Sequence, residues 1–187
     1  MAHKQVEINQ EYKTISFSEV RFERDVHMIH RWMNESHVSP FWQLNIPIEA
    51  YKRHLRKALK DEHQNLYLGL INNEPISYWE AYWVEGDIME GMYENKPYDQ
   101  GIHLLIGETD FLGKGYALPL LREMVSLQLK EKRTKRVIAE PDIRNKKMIH
   151  VFEKCGFRPH KPIKLPDKTG LLMICERDQF ERKWGNE

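Results

Sequence analysis

Three short stretches of this chain hold the residues most capable of chemistry. The segment Phe111-Leu112-Gly113-Lys114-Gly115-Tyr116-Ala117 follows an apolar run that ends near Gly107 and precedes a helical pattern. Glycines there let backbone N–H groups approach a ligand closely, and the helix start adds further N–H groups and the positive end of a dipole. A pyrophosphate would fit, although a GxG taken alone more often marks a tight strand-to-helix connection. His103 stands inside the run Gly101-Ile102-His103-Leu104-Leu105-Ile106-Gly107. A histidine in an apolar strand must be hydrogen-bonded or costly to bury, so it is either a satisfied core residue or a base held for proton transfer. Asp142 follows the stretch Arg136 to Glu140. Its carboxylate is placed to orient that imidazole, to hold an amine nitrogen, or to face the positive end of the next helix.

Those residues need elements to carry them. Ile15, Phe17 and Val20 predict a strand from Thr14 to Val20. Helical spacing predicts Asp25 to Met33 and Ile48 to Lys60, with the aromatic segment Trp32 to Trp42 between them as a loop lining a cavity. Strands are expected at Leu66 to Ile71 and Ile76 to Val84, joined through Asn72-Asn73-Glu74-Pro75 as an antiparallel hairpin. Glu85 to Gln100 is a long polar connection, and the run around His103 is apolar enough for a central strand covered on both faces. Ala117, Leu121, Met124, Val125 and Gln128 recur at helical spacing, and Pro119 restricts the helix start to the neighbourhood of Gly115. Arg136 to Glu140 is a further buried strand. Asn145 to Cys155 is a helix with Met148, Val151, Phe152 and Cys155 inward, capped by Asn145 and closed by Gly156. Two last strands start at Phe157 and Leu171, with Pro162, Pro166 and Gly170 marking the turn region. This order predicts an α/β (α+β) fold, a mixed sheet flanked by helices in a single domain over residues 1–187.

Composition narrows the function. The 187 residues include 29 basic and 28 acidic side chains, a net charge of only +1, which excludes a large electrostatic footprint for nucleic acid or an anionic membrane. Two cysteines, Cys155 and Cys175, lack any metal-site spacing, so no metal and no disulfide framework is expected. The first residues carry no apolar signal region, and no window approaches a membrane span. A protein of the reducing cytoplasm is expected. His27 and His30 lack a cluster around them and read as surface residues, and Lys130 to Arg136 as a solvated helix end.

With Asp142-Ile143-Arg144-Asn145 and Phe152-Glu153-Lys154-Cys155-Gly156-Phe157, the glycine loop resembles the GNAT acyltransferase superfamily. Gly113 and Gly115 match the glycines of the family's pyrophosphate signature, while Asp110 replaces its Gln or Arg. The resemblance implies a splayed sheet, with acetyl-CoA or another acyl-CoA lying between the strands at Ile102 to Ile106 and Val137 to Glu140. Its contacts would come from Leu112, Gly113, Lys114, Gly115, Tyr116 and Ala117, from Asn145 on the pantetheine arm, and from Lys147 and Arg144 near the phosphates. Trp32-Met33-Asn34, His37-Val38, Phe41-Trp42, the His103 strand and Glu140-Pro141-Asp142 are similar to a narrower branch, the hydroxamate-siderophore acyltransferases. These acylate an N-hydroxylated amine, such as hydroxylysine or a hydroxylated diamine.

The branch resemblance makes His103 the general base, with Asp142 orienting it or holding the acceptor nitrogen if it is not structural, and it assigns the amine acceptor to Trp32, Asn34, His37, Trp42 and Trp83. Trp42 and Trp83 are the aromatics placed in the pocket, whereas at least half of the dense set with Phe41, Trp79 and Tyr82 belongs to the core. The tyrosine by which many members protonate the leaving thiolate is replaced by Phe152. Cys155 falls on an inward helix stripe, a poor place for a nucleophile, so direct transfer is expected. The same branch includes aminoglycoside 6'-N-acetyltransferases, which usually carry Asp in place of His103; Glu85, Asp87, Glu90 and Glu94 keep that alternative open. A second alternative is a CoA-binding module without turnover, suggested by Asp110 and Phe152 and opposed by His103 and Asp142.

Overall fold

A computed structural model describes residues 3–185. Its eight strands form one mixed sheet in the order β1-β2-β3-β4-β5-β6-β8-β7, flanked by helices. The described residues fall into two compact units, residues 3–80 with 104–116, and residues 81–103 with 117–185. Two of the three boundaries fall within β4 (Glu74–Trp83) and β5 (Gln100–Ile106), and the third falls just before Ala117.

In the first unit β1 (Lys4–Ile8) pairs antiparallel with β2 (Glu11–Glu19), and β2 with β3 (Gln64–Ile71). Two tight turns rely on asparagine and glutamine in the left-handed region: Asn9 and Gln10 at φ 52° and 66°, and Asn72 and Asn73 at φ 49° and 68°. Asparagine pays less than most residues for that conformation, which suits two-residue hairpins. Helices α1 (Phe22–Met33) and α3 (Ile48–Leu59) bury Val26, Ile29, Trp32 and Met33, and Tyr51 and Leu55, against Leu66, Leu68, Tyr78 and Leu105. The aromatic segment between them is not all loop, because Ser39–Trp42 forms one short helical turn, α2.

In the second unit β5 and β6 (Arg136–Ala139) are parallel. Parallel neighbours need a crossover, supplied by α4 (Ala117–Gln128), which buries Leu120, Leu121, Met124, Val125 and Gln128. Pro119 sits in its first turn, where no intrahelical donor is lost. Strands β8 (Thr169–Glu176) and β7 (Arg158–Lys164) complete this side in antiparallel pairing, and Pro162 and Gly170 lie inside them rather than in the turn. Helix α5 (Lys146–Cys155) buries Ile149, Phe152 and Cys155; Met148 and Val151 are only half-buried, so the inward stripe is rotated from the expected one. Arg136 is buried and ion-paired with Asp99, against the expectation that it belongs to a solvated run. Two elements escaped the periodicity reading. β1 is short, with Val6 and Ile8 as its only buried side chains, and α6 (Arg177–Trp184) is highly charged and buries Phe180 alone. Arg177 anchors α6 by donating to the carbonyls of Leu129, Glu131 and Thr134 at 2.8–2.9 Å.

Candidate active site

The ladder between β5 and β6 pairs Gln100 with Val137 and Gly101 with Ile138. The same count sets His103 opposite Glu140, just past the end of the short strand β6. The imidazole side chain is 30% exposed, the carboxylate only 3%. A carboxylate has no proton to give, so Nε2 of His103 carries the hydrogen and donates to Oε1 of Glu140. The other oxygen, Oε2, accepts from the Tyr82 hydroxyl at 2.8 Å, and Lys168 Nζ stands 3.7 Å from Oε1. The rings of Tyr82 and His103 lie with centroids 4.9 Å apart and planes inclined at 35°. Burial alone would raise the Glu140 pKa, but His103, Lys168 and the Tyr82 hydroxyl outweigh it and hold the carboxyl at about 2. Burial and the neighbouring Glu140 charge push the Tyr82 hydroxyl well above its ordinary value, so it stays a donor.

Asp142 is not the partner of the imidazole. Its carboxylate binds Arg144, accepting from Nε at 2.9 Å, from Nη2 at 2.6 Å and from the backbone N–H at 2.8 Å. Those bonds, led by the guanidinium, hold its carboxyl below the usual range. The expectation that Asp142 orients His103 therefore gives way to Glu140, two residues earlier. Asn145 caps α5, its side chain accepting from the Met148 N–H at 3.2 Å, and Lys147 is exposed on the first turn.

The glycine loop lies in the first unit. After a 3₁₀ turn, Thr109–Phe111, residues 112–115 are exposed, with Gly113 at φ 71° and Gly115 at φ 83°. A Cβ added at Gly113 would find nothing within 4 Å, so the space beside that residue is open. The loop is tied from 105 residues away, where Asn9 donates its side-chain N–H to the Lys114 carbonyl at 2.9 Å. Tyr116 packs edge-on against Phe111 at 5.0 Å.

The aromatic segment is reassigned in part. Trp32 is fully buried, its indole N–H donating to Glu108 at 3.0 Å. Its ring occupies the space that a Cβ on Gly107 would need, 2.1–2.4 Å from the ring atoms, so Trp32 is a core residue and not an acceptor contact. The His37 ring donates to the Ile106 carbonyl at 2.8 Å, which ties the segment to the central strand. The exposed Asn34 donates to the carbonyl of His30 at 2.8 Å and finishes its own helix. Trp42 is half-buried and edge-on to Tyr78 at 5.6 Å, and Trp83 is half-buried at the end of β4.

Comparison with known proteins decides the family. Residues 21–165 match the model of an acetyltransferase (GNAT) domain. The chain belongs to the GNAT acetyltransferase family. It is 31% identical over 157 residues to an N(6)-hydroxylysine O-acetyltransferase of Escherichia coli, covering 83% of this chain but only 50% of that protein. An N-hydroxyputrescine acetyltransferase of Acinetobacter baumannii is 30% identical over 167 residues, 87% of this chain and 78% of the relative. The aminoglycoside acetyltransferase AAC(6')-Ib, solved in complex with coenzyme A, superposes with a TM-score of 0.82 at 27% identity, covering 90% of this chain and 98% of that one.

As a GNAT acetyltransferase the chain uses acyl-CoA as co-substrate. Asp110 is exposed on the 3₁₀ turn, where a carboxylate would repel a phosphate, while the glycine loop beside it is exposed and offers backbone N–H groups. The loop fits an anion on that ground. Phe152 is buried and packs against Phe157 at 4.9 Å, so this position of α5 offers no acid for a leaving thiolate. Cys155 is fully buried, with its thiol pushed up by burial, and is unsuited to attack an acyl group.

Proposed function

We propose that this GNAT domain transfers an acetyl group directly from acetyl-CoA to the nitrogen of an N-hydroxylated amine. The observation that carries the reading is a part-exposed imidazole, His103, held by an ionised, buried carboxylate at the point where the β5–β6 ladder has stopped. Both hydroxylamine-named relatives support the acceptor class. The loop Leu112 to Ala117 binds the pyrophosphate through its N–H groups, with Asn145 and Lys147 toward the pantetheine arm and phosphates. Acyl-CoA supplies the thioester carbonyl. His103 takes the proton released by the acceptor nitrogen as the C–N bond forms and the C–S bond breaks; the imidazolium then returns it to the thiolate or to water. Asn34, His37 and Trp42 of the first unit, and Trp83 of the second, are the residues assigned to the acceptor. Two free, buried thiols, Cys155 and Cys175, suit a reducing cytoplasm.

Aminoglycoside acetylation is the second reading, favoured by the likeness to AAC(6')-Ib. Of the four carboxylates that argue for it, Asp87 accepts from the Met89 N–H at 2.9 Å and Glu90 from the Gly86 N–H at 3.0 Å, so two serve to fold their own loop. A comparison of kcat/KM for N6-hydroxylysine, N-hydroxyputrescine and kanamycin decides between them. The hydroxylated amines should win by about tenfold or more, and their product should give the ferric colour of a hydroxamate, which an O-acetyl product does not. A kanamycin preference installs the antibiotic reading; acetyl-CoA binding with no turnover of any amine leaves a CoA-binding module.

A further inference from the structure

The turn between β1 and β2 does more than reverse the chain. Asn9 and Gln10 fill it in the left-handed region, at φ 52° and 66°, directly after the ladder pair of Ile8 with Glu11. An asparagine in such a turn ordinarily spends its side chain on the backbone of its own neighbours. Asn9 instead reaches 105 residues along the chain and donates to the Lys114 carbonyl at 2.9 Å, between the two glycines of the loop. Its Oδ1 stands 4.0 Å from where a Cβ on Gly115 would be, so the hairpin backs the loop at that residue, whereas the space beside Gly113 is open. Both ends of this contact belong to the first unit.

One hydrogen bond at that carbonyl fixes a whole peptide plane. The described residues hold no cis peptide bond, and in a trans peptide the C=O and the N–H point in opposite directions. With the Lys114 oxygen turned to Asn9, the N–H of Gly115, which shares its plane, faces away from the hairpin. Glycine at 115, here at φ 83°, tolerates either sign of φ, so the covalent geometry of the loop leaves the plane free to turn over and present an oxygen in place of the N–H. That oxygen would repel an anion. We infer that Asn9 is a positioning residue for coenzyme A: presented from the β1–β2 ladder, it holds the 114–115 peptide with its N–H toward the pyrophosphate. This rests on the reading of the glycine loop as the pyrophosphate site, given above.

The test uses the full chain labelled with nitrogen-15 and titrated with two probes, coenzyme A and pantetheine, which ends before the pyrophosphate. Asn9→Gly keeps a residue suited to φ 52° and removes only the side chain; Asn9→Asp keeps its size, but an ionised carboxylate has no proton to give the carbonyl. In the wild type the Gly115 amide resonance should move with coenzyme A and stay in place with pantetheine. Asn9→Gly should weaken coenzyme A binding by about three- to tenfold, the range of one solvent-exposed hydrogen bond, and Asn9→Asp by at least as much. Neither should change the Kd for pantetheine, a split between probes that general damage to the fold does not produce. If one variant does not fold, the other carries the decision. An unchanged Kd for coenzyme A in a folded variant, an equal loss for both probes, or a Gly115 amide that coenzyme A leaves in place overturns the proposal. Gly113→Val separates it from its premise: coenzyme A binding undiminished there takes the loop itself out of the site, whereas binding abolished there beside full affinity in Asn9→Gly removes only the role of Asn9.

Discussion

At the scale of single residues, two side chains expected to act together part company. His103 has a carboxylate on its ring, but it belongs to Glu140, while Asp142 spends its hydrogen bonds on Arg144. The two positions should therefore respond differently to isosteric change. His103→Gln should lower kcat by about 10² to 10⁴-fold, the usual contribution of a positioned proton acceptor, with acetyl-CoA affinity unchanged. Asp142→Asn keeps an acceptor for the Arg144 backbone and loses an ion pair with a guanidinium that is 66% exposed, an interaction worth little in water. Its kcat should stay within a few-fold of wild type. Steady-state kinetics on both variants, with binding measured calorimetrically, checks the contrast; an Asp142→Asn loss as deep as that of His103→Gln would return Asp142 to the chemistry.

At the scale of elements, the proposed cradle depends on the passage from β5 through the glycine loop into α4. Gly113 and Gly115 hold positive φ, where a side chain is strained, and Asn9 pins the loop through the Lys114 carbonyl. The β1–β2 turn thus supports the loop proposed to hold the anion, a role for residues that the sequence pattern passed over. Acetyl-CoA at about 100 times its Kd should stabilise the wild type by about 2.7 kcal/mol, which for a chain of this size raises Tm by roughly 5–10 °C. Gly113→Val should fold yet show no such shift, because the added side chain occupies the open approach. Asn9→Ala should keep a reduced shift, since it costs one exposed hydrogen bond, about 1 kcal/mol. Differential scanning fluorimetry reads all three, and an undiminished shift in Gly113→Val takes the loop out of the site.

On the scale of the whole molecule, the buried carboxylate links the site to stability. The Glu140 pKa falls from 4.5 to about 2 on folding, so its contribution is present above the unfolded value and is lost as the pH falls from there toward about 2. Between pH 5 and pH 3 the wild type should lose Tm more steeply than Glu140→Gln, which has no proton to take up at that position. Thermal melts across that interval give the comparison, and parallel curves would mean that Glu140 does not titrate on unfolding. Glu131 also sits at about 2, beside Arg133, but its side chain is part-exposed to solvent, where screening leaves the pair little weight.

Local pattern was enough for most of the frame. The spacing of Ile15 and Phe17, the Asn72-Asn73 turn, the apolar run around His103, and Asn145 and Gly156 at the two ends of α5 are signals carried by neighbours in sequence, because backbone geometry is set within a few residues. The family, too, was legible in the glycine loop and the segment after Asp142. What local pattern could not carry were contacts made across strands and between distant segments. Whether Glu140 or Asp142 meets the imidazole depends on the parallel register of β5 against β6, 37 residues apart, and on the absence of side chains at Gly101 and Gly170. Whether Trp32 lines a pocket or fills the core depends on Gly107 having left a space for its ring. Such choices follow from steric fit among residues far apart in the chain, a quantity with no period, so only the folded molecule decides them.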